Sequence, residues 1–255
     1  MLAIVSAMLE EITSVIQSLS DVKIQEFGRR QFHTGRLHGV DVVAVFSRYG
    51  KVAAAATVTQ LLTSYPVKRL IFGGVAGGVQ PGLAIGDIVV ATDLVQHDMD
   101  ASPLFPRYEV PLLGKARFAT DPQLRTDLAV AAKVFVEHDL AAQVADGERS
   151  YFRMTVPKVV AGMVASGDKF FASRAEVQEL RQRLPTVCCV EMEGAAVAQV
   201  CDEYGIPFAV VRTISDSADE NSVHDFPRFA REIARHYFNG VLLRYLQQAD
   251  GPKSG

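Results

Sequence analysis

Apolar residues along this chain form two alternating patterns, short continuous runs and longer segments with helical spacing. Leu2–Ser6 is a short run typical of a buried strand, and Met8–Leu19 after it has helical periodicity. Lys51–Ser64 is rich in alanine and other helix formers, and Pro66 lies just beyond the expected end of that helix. The first part of the chain therefore predicts strands followed by helices.

The same alternation continues to the end of the chain. Gln31–Leu37 and Val40–Ser47 are predicted to be paired strands joined by the turn at His38-Gly39. Further strands are predicted at Leu70–Gly73, Asp87–Val95, Val159–Ala165, Val187–Val190 and Phe208–Thr213. Further helices are predicted at Pro122–Val136, Ser173–Leu184, Glu193–Tyr204 and, long and amphipathic, at Phe226–Gln248. This order predicts a layered α/β domain with helices on both sides of the sheet.

Two stretches have no regular pattern. Ser102–Asp121 contains three prolines among aromatic residues, and Asp139–Val160 is mixed and polar. Long loops of this kind are often lids or interfaces, and a surface excursion with ordinary packing is an equal alternative. Because there is no internal repeat or linker, we expect one domain over residues 1–248 and a flexible tail over 249–255.

Composition limits the function classes. The chain has 255 residues, 49% of them hydrophobic, and a formal net charge of -3, which argues against a nucleic-acid partner. Glu10 and Glu11 interrupt the apolar start too early for a signal peptide, and no apolar run is long enough to span a bilayer. The three cysteines and six histidines have no metal-ligand spacing. We therefore expect a cytoplasmic protein with no membrane contact, no metal and no cofactor.

Polar residues follow several of the predicted strands. In layered α/β folds ligands bind at the carboxyl ends of strands. The segments at those ends are Ser6–Glu11, Ser47–Lys51, Gly73–Gly78, Glu191–Glu193 and Ser215-Asp216. We expect these five segments, although far apart in sequence, to meet at one edge of the sheet.

The glycine-rich and acidic segments each have two interpretations. Gly73–Gly78 allows a ligand to approach the backbone, but it lacks the dinucleotide and P-loop spacings, and a plain strand-to-loop turn fits equally. Glu10 and Glu11 are suited to the N-terminus of a helix, where the helix dipole stabilises acidic side chains. The alternative is that one of them orients a nucleophilic water. Glu191 and Glu193, on either side of Met192, suit either a helix start or the vicinal hydroxyls of a ribose.

Asp216 is the candidate general acid. It ends an apolar strand, and burial or neighbouring carboxylates would raise its pKa into the range that this role requires. Arg212 would hold Asp216 or another carboxylate by a bidentate pair. The alternative is a structural aspartate that caps a turn with Ser217 and Asp219.

Two phenylalanines follow the glycine turn of Ser166-Gly167-Asp168. One aromatic ring at this position would be able to stack on a base. Burial of both Phe170 and Phe171 in the core is the commoner fate of such residues.

In combination, these segments resemble the 5′-methylthioadenosine/S-adenosylhomocysteine nucleosidases within the purine nucleoside phosphorylase superfamily. The resemblance runs from Met1 to about Leu246, with extra residues around Asp139–Val160. The segments that carry it are Ala7–Glu11, Gly50–Ala53, Ala76–Gly78, Gly86–Val89, Ser166–Asp168, Val190–Glu193 and Ile214–Asp216. None of them suffices alone, and their common order is what makes the resemblance specific.

The resemblance implies a fold and a set of roles. The fold would be a three-layer α/β/α arrangement with a central mixed, twisted sheet, as in the nucleoside phosphorylases. Glu11 would position the attacking water and Asp216 would protonate the purine at N7, with Ser215 beside it. Glu193 would bind the ribose hydroxyls. The other substrate-binding residues implied are Met8 on the 5′ side, Val75, Phe170 stacked on adenine, Phe171 with backbone bonds to the base edge, Met192 against the sugar, and Arg212.

The implied activity is hydrolysis of the N-glycosidic bond of 5′-methylthioadenosine and S-adenosylhomocysteine, with water as co-substrate and adenine as a product. 5′-Deoxyadenosine and 6-amino-6-deoxyfutalosine are further substrates that the same residues would serve. Two alternatives stay open, a phosphate-dependent purine nucleoside phosphorylase and a non-catalytic nucleoside-binding sensor.

Three positions depart from the pattern of the nucleosidases. Arg48 replaces a common glycine, Tyr49 replaces a smaller aliphatic residue in the 5′ pocket, and Val75 replaces a hydroxyl residue of some relatives. Arg48 would contact an anion, solvent or a partner subunit. The resemblance also implies a homodimer, with His97–Phe105 and the proline-rich stretch after it as the candidate contact.

Overall fold

The computed structural model describes residues 1–250, and most of them lie in strands or helices. The strands are β1 (Leu2–Ser6), β2 (Ser20–Phe27), β3 (Arg30–Leu37), β4 (Val40–Phe46), β5 (Arg69–Gly78), β6 (Ile88–Gln96), β7 (Phe118–Ala119), β8 (Val159–Ser166), β9 (Val187–Glu191) and β10 (Phe208–Asp216). The helices are α1 (Leu9–Gln17), α2 (Lys51–Ser64), α3 (Pro122–His138), α4 (Leu140–Gln143), α5 (Asp146–Tyr151), α6 (Arg174–Arg183), α7 (Gly194–Glu203), α8 (Ser222–Phe229) and α9 (Arg235–Asp250).

Helices cover both faces of the sheet. On one face α3 and α1 pack against α9, and their apolar side chains form a core with sheet residues such as Ile4 and Ile71. On the other face α2 packs against α7 over Val5 and Phe72. Consecutive residues of the buried strands alternate between these two cores because their side chains alternate between faces. The predicted three-layer α/β/α fold with a mixed sheet is confirmed.

The central strands close into a ring. The strand order is β10-β6-β8-β9-β5-β1-β4-β3-β2, and β10 pairs with β5 as well as with β6. Pairing of β5 with β9 completes a circuit through β5, β9, β8, β6 and β10. The circuit brings the carboxyl ends of β5, β9 and β10 to one opening, which a flat sheet would spread apart.

The glycine-rich segment is a strand and not a loop. Strand β5 continues through Gly78, and none of the glycines between 73 and 78 has positive φ. An added Cβ would lie 2.0 Å from the Phe238 ring at Gly73 and 2.9 Å from Arg212 Nη1 at Gly74. The prediction of a strand-to-loop turn after Gly73 was therefore wrong, because these glycines provide space for neighbouring side chains and not a left-handed backbone.

Three other segments differ from their predictions. Strand β2 has no predicted counterpart, because it is exposed on nearly its whole length and so lacks an apolar run. Asp139–Val160, expected to be irregular, contains α4, α5 and the first residues of β8. The predicted terminal helix begins earlier, with α8, and passes through the π-helical turn Ala230–Ala234 into α9. Residues 251–255 of the predicted tail lie outside the described residues.

Candidate active site

A cleft with about 520 Å³ of empty space, partly open to solvent, lies at the opening of the strand ring. All five of the predicted strand-end segments contribute to its wall or border it. The lining residues are Ala7, Met8, Tyr49, Gly74, Val75, Ala76, Gly77, Phe170, Val190, Glu191, Met192, Glu193, Arg212, Ser215, Asp216 and Phe226. The structure thus brings together the residues that the sequence singled out.

Asp216 is the buried carboxyl at the end of β10. Ser215 Oγ donates to its Oδ2 at 2.8 Å and the Ala218 N–H donates to its Oδ1 at 2.8 Å. Burial raises the pKa of Asp216 above its usual value, although these hydrogen bonds favour the charged form and partly oppose the shift. Asp216 also caps the turn at Ala218, so the structural and the acid interpretations are compatible.

Arg212 pairs with Glu191 and not with Asp216. Its Nη2 lies 2.7 Å from Glu191 Oε2, and both side chains are buried. The guanidinium also lies over the Phe72 ring, at 4.2 Å from the ring centroid, and passes above Gly74. Arg212 thus holds a carboxylate, as predicted, but that carboxylate is Glu191, and one charged hydrogen bond joins them instead of the predicted bidentate pair.

Glu191 and Glu193 have different surroundings. Glu191 accepts hydrogen bonds from the Gly194 N–H at 2.9 and 2.8 Å and from the Ser166 hydroxyl, in addition to Arg212. Its acceptor positions are therefore occupied by the protein. Glu193 accepts one bond, from the Gly50 N–H at 2.8 Å, and faces the cleft. Of the two carboxylates, Glu193 is the one that is free to accept hydrogen bonds from a ligand.

Glu193 lies in a negative environment. Burial, and next the charge of Glu191, raise the pKa of Glu193 to about 7. Gly50 and Arg212 oppose that shift. A hydroxyl donor that reached Glu193 would stabilise its charged form in the same way as the Gly50 N–H does.

Glu11 is 1% exposed and borders the cleft without lining it. Ser6 Oγ donates to its Oε2 at 2.5 Å. The carboxylate reaches the cleft beside Gly74, where an added Cβ would lie 3.7 Å from Glu11 Oε2. Burial raises the pKa of Glu11 to about 7, against the opposing effects of Ser6 and Arg212. A carboxyl with a pKa near neutrality is suited to accept a proton from water.

Apolar and aromatic side chains form the rest of the cleft. Phe170 is partly exposed and meets Phe226 edge to face, with ring centroids 5.6 Å apart. Met8 and Tyr49 lie on the same cleft, and Met192 lies between the two glutamates. Phe171 points away from the main cleft, packs against His97 and lines a smaller neighbouring pocket. Phe170 is thus positioned for stacking, and only the backbone of Phe171 remains available for a base.

Phe226 was not predicted as a site residue. It lies ten residues after Asp216, outside every quoted motif, and reaches the cleft because α8 packs against β10. The sequence signal was ambiguous, since an aromatic residue on an amphipathic helix is usually in the core.

Hydrogen bonds join the loops on two sides of the cleft. Lys51 Nζ donates to Asp98 Oδ1 at 2.6 Å, and the Asp168 N–H donates to Asp98 Oδ2 at 3.0 Å. The Lys51 N–H donates to Asp168 Oδ1 at 2.8 Å. These bonds fix Gly50, which contacts Glu193, relative to the loop that carries Phe170.

Two kinds of feature are absent from the described residues. Over residues 1–250, no group of three or more histidine, cysteine, aspartate and glutamate side chains has a geometry that would hold a metal ion. In the same part of the chain, no helix combines the length and the apolar character that crossing a membrane requires.

The chain is similar to known proteins over nearly its whole length. The sequence model described as the phosphorylase superfamily matches residues 1–247. A 5′-methylthioadenosine/S-adenosylhomocysteine nucleosidase of Chromohalobacter salexigens is 35% identical over 236 residues, which cover 92% of this chain and 92% of that protein.

Solved structures are similar to the same extent. The 5′-methylthioadenosine/S-adenosylhomocysteine nucleosidase of Neisseria meningitidis, in complex with methylthio-immucillin-A, superposes with a TM-score of 0.84 at 32% identity. That match covers 97% of this chain and 98% of the other. A futalosine hydrolase mutant of Helicobacter pylori superposes with a TM-score of 0.79 at 30% identity, over 97% of this chain and 98% of the other.

Proposed function

Because the chain belongs to the phosphorylase superfamily and, within it, to the 5′-methylthioadenosine/S-adenosylhomocysteine nucleosidases, we propose that it hydrolyses the N-glycosidic bond of a 5′-substituted adenine nucleoside. Adenine and a 5′-substituted ribose are the products. The observation that carries this proposal is a cleft bordered by two buried carboxyls, Glu11 and Asp216, whose pKa values burial has raised.

Asp216 supplies the proton to the leaving group. Adenine departs poorly as an anion, so protonation at N7 lets the bond between N9 and C1′ break with neutral adenine as the product. Burial raises the pKa of Asp216, which favours its protonated form relative to an exposed aspartate, and the Ser215 hydroxyl holds the carboxyl in position. General acid assistance of this kind contributes roughly 10²–10⁴-fold to the rate.

Glu11 orients the water that attacks C1′. The sugar develops positive charge as adenine departs, and the water loses a proton to Glu11 as its oxygen bonds to C1′. Acid and base work are thus divided between two carboxyls, as in glycoside hydrolysis. Glu193 binds the ribose hydroxyls, and its single bond to Gly50 leaves lone pairs for them.

The side chains around these carboxyls bind the two ends of the nucleoside. Phe170 stacks on the base, Met192 packs against the sugar, and Met8 with Tyr49 faces the 5′ substituent. Val75, Phe171, Arg212 and Ser215 complete the predicted set. Tyr49 is 59% exposed, which leaves room for a larger 5′ group, and the similarity to a futalosine hydrolase makes 6-amino-6-deoxyfutalosine a second candidate substrate.

The charge of the cleft favours water over phosphate as the nucleophile. Among the cleft-lining residues of the described chain, Arg212 is the only cation, and Glu191 already neutralises it. Glu193 and Glu11, in their ionised forms, add negative charge around the same space. A phosphate dianion would enter this field at an electrostatic cost that water does not have.

Incubation with 5′-methylthioadenosine in the presence and absence of phosphate tests the proposal. We expect free adenine and a reducing sugar in both cases. A requirement for phosphate, with a sugar 1-phosphate as product, would make the protein a phosphorylase. Binding of the nucleoside without any product would instead support a nucleoside sensor.

We further propose that the protein is a cytoplasmic homodimer. Leu104 and Leu112 are 84% and 93% exposed, and they lie in or beside the segments predicted to contact a partner. Burial of these two side chains against a partner subunit would remove apolar surface from water. The three cysteines are free and buried, which suits a reducing compartment.

A further inference from the structure

A second cleft lies beside the 5′ side of the candidate active site. It has about 660 Å³ of empty space, partly open to solvent, and lies between α1, the β2–β3 hairpin and the end of β4. Leu9 lines this cleft and its neighbour Met8 lines the first. The Phe46 ring of the second cleft meets the Tyr49 ring of the first, with centroids 6.3 Å apart. The two clefts are therefore neighbours across Tyr49.

Three arginines line this second cleft. They are Arg29 and Arg30, at the tip of the hairpin, and Arg48, after β4. Within residues 1–250 none of the three forms an ion pair, although Glu26 lines the same cleft. Arg48 Nη2 instead donates to the Arg29 carbonyl at 2.5 Å, and Arg30 Nη1 donates to the Gly28 carbonyl at 3.0 Å. Three positive side chains thus share this cleft with one glutamate, and none of the three is paired with a carboxylate of the described residues.

Arg30 has a buried donor that the protein itself does not satisfy. Its Nε is buried and has no hydrogen-bond partner among the described residues. Burial and the charge of Arg48 lower the pKa of Arg30. A buried donor without a partner is costly, and an anion that reached it would supply both the acceptor and the opposite charge.

The backbone also holds Arg48 in an unfavourable conformation. Arg48 has φ +68°, in the left-handed region that residues with a Cβ seldom adopt. The φ of +60° at Arg29 has a local cause, because Gly28 and Arg29 form the two-residue turn of the hairpin, which requires positive φ at both positions. Such conformations persist where the surrounding structure imposes them and are frequent in ligand-binding segments. Here the conformation accompanies side chains that converge on one cleft.

We propose that Arg29, Arg30 and Arg48 form a subsite for the carboxylate at the far end of a 5′ substituent. The inference rests on the proposed function, because the substituent reaches this cleft from a nucleoside bound in the first. Leu9 and Phe46 provide an apolar wall for the intervening chain. Glu26 is available to accept a hydrogen bond from an ammonium on the same substituent.

Two synthetic nucleosides test whether the negative charge at the end of the 5′ substituent contributes to recognition. One is adenosine with a 5′-(4-carboxybutyl)thio group, and the other is its carboxamide, which has nearly the same shape and no charge. We expect wild-type protein to prefer the carboxylate in kcat/KM by about tenfold, the scale of charged hydrogen bonds that solvent partly screens. This preference should shrink at 1 M salt.

Two substitutions test which residues are responsible. Arg48→Gly keeps the left-handed backbone and removes the guanidinium, and Arg30→Gln removes the second charge. In each variant the ratio of carboxylate to carboxamide kcat/KM should fall towards one. Arg181→Met is the matched control, since it removes one positive charge from an exposed position on α6 and should keep the ratio of the wild type.

The outcomes separate the two proposals. If the wild type hydrolyses 5′-methylthioadenosine but shows a ratio of one, the arginine subsite is wrong and the proposed function stands. An equal fall of the ratio in Arg181→Met would also overturn the subsite. If no nucleoside is hydrolysed, calorimetry measures the dissociation constants of the two synthetic compounds instead. Tighter binding of the carboxylate than of the carboxamide would then support the subsite, and equal binding would overturn it.

Discussion

At the scale of single residues, the site consists of four buried carboxyls around one arginine. Glu191 forms an ion pair with Arg212, so no cationic side chain pairs directly with Glu11, Glu193 or Asp216 among the described residues. Burial raises the pKa of each of these three, and partial stabilisation by hydroxyl or N–H donors limits the shift. Carboxyls with raised pKa values are suited to exchange protons near neutral pH.

Asp216→Asn is expected to abolish turnover and to leave the fold intact. The amide has nearly the same shape but no proton to transfer to N7. Steady-state kinetics with 5′-methylthioadenosine and circular dichroism measure the two effects. Near wild-type kcat in a folded variant would remove Asp216 from the role of general acid.

The value of kcat/KM should rise as the pH increases through about 7, the pKa of Glu11. Glu11 acts in its ionised form, and its pKa of about 7 lies well above the usual 4.5. The profile of kcat/KM should therefore increase from pH 5 to pH 8. Because Glu193 has a similar pKa, the apparent value belongs to both groups.

Glu11→Gln should lose turnover while it retains substrate binding, and a folding defect would instead favour a helix-terminus role.

Stability should have the opposite dependence on pH. Folded Glu11 keeps its proton up to about pH 7, whereas the unfolded chain loses it near 4.5. The free energy of unfolding therefore falls as pH rises through this window, by roughly 3 kcal/mol for the shift of Glu11. Chemical denaturation at pH 5 and pH 8 measures the fall, which Glu11→Gln should reduce. An equal fall in the variant would assign the effect to other groups.

Glu193→Gln should weaken binding of ribosides more than binding of 2′,3′-dideoxy analogues. A carboxylate accepts hydrogen bonds from both hydroxyls, whereas the amide places an N–H donor in one of the two positions. Loss of one charged hydrogen bond corresponds to about 1.5–3 kcal/mol before screening. Dissociation constants for the two classes of ligand measure the difference. Equal losses on both would show that Glu193 does not contact the hydroxyls.

At the scale of elements, the site depends on strand β5, whose carboxyl end consists mostly of glycine. Gly74 and Gly77 of β5 leave space for Arg212 and for the turn after Asp216. The Lys51, Asp98 and Asp168 hydrogen bonds fix the facing loops. The elements thus place charged groups close together without additional backbone strain in β5.

Gly74→Ala is expected to disturb the site from within the sheet. The added Cβ would lie 2.9 Å from Arg212 Nη1, so the guanidinium must shift away from Glu191. We expect a destabilisation of about 1–3 kcal/mol and a loss of kcat/KM of at least tenfold, because a buried ion pair is perturbed. Gly147→Ala is the control, since its Cβ would meet nothing within 4 Å. Similar kinetics for both variants would contradict this account.

At the scale of the whole molecule, the closed strand ring and the two faces of helices produce one concave opening. The exposed apolar residues Leu104, Leu112 and Val52 lie outside that opening. Leu104 and Leu112 belong to the stretch predicted to contact a partner subunit, so we relate these two residues to the proposed homodimer.

Leu104→Asp should shift the protein from dimer towards monomer. A charge buried in an apolar interface is costly unless a partner pairs with it. Sedimentation velocity at several concentrations measures the change. Val156→Asp, which alters an equally exposed residue between α5 and β8, should leave the association unchanged. A monomeric wild type would reject the proposed assembly.

The sequence alone determined which local elements form and which residues end them. The apolar runs located β1, β4, β9 and β10, the periodic segments located α2 and α3, and the His38-Gly39 turn located the β3–β4 hairpin. These features are local, because side-chain alternation, helix propensity and turn residues act within a few positions. Positions after strands made Glu10, Glu11, Glu191, Glu193 and Asp216 candidates, and the resemblance to the nucleosidases selected Glu11, Glu193 and Asp216 among them.

Only the tertiary structure decided what those residues experience. Glu191 and Glu193 were equivalent in the sequence, and ring closure paired Glu191 with Arg212 while it left Glu193 on the cleft. Burial by distant elements set the pKa values, and the return of α8 added Phe226. The arginine cleft likewise joins the hairpin tip to the segment after β4. Desolvation, pairing and proximity depend on contacts between remote segments, and a linear pattern does not record those contacts.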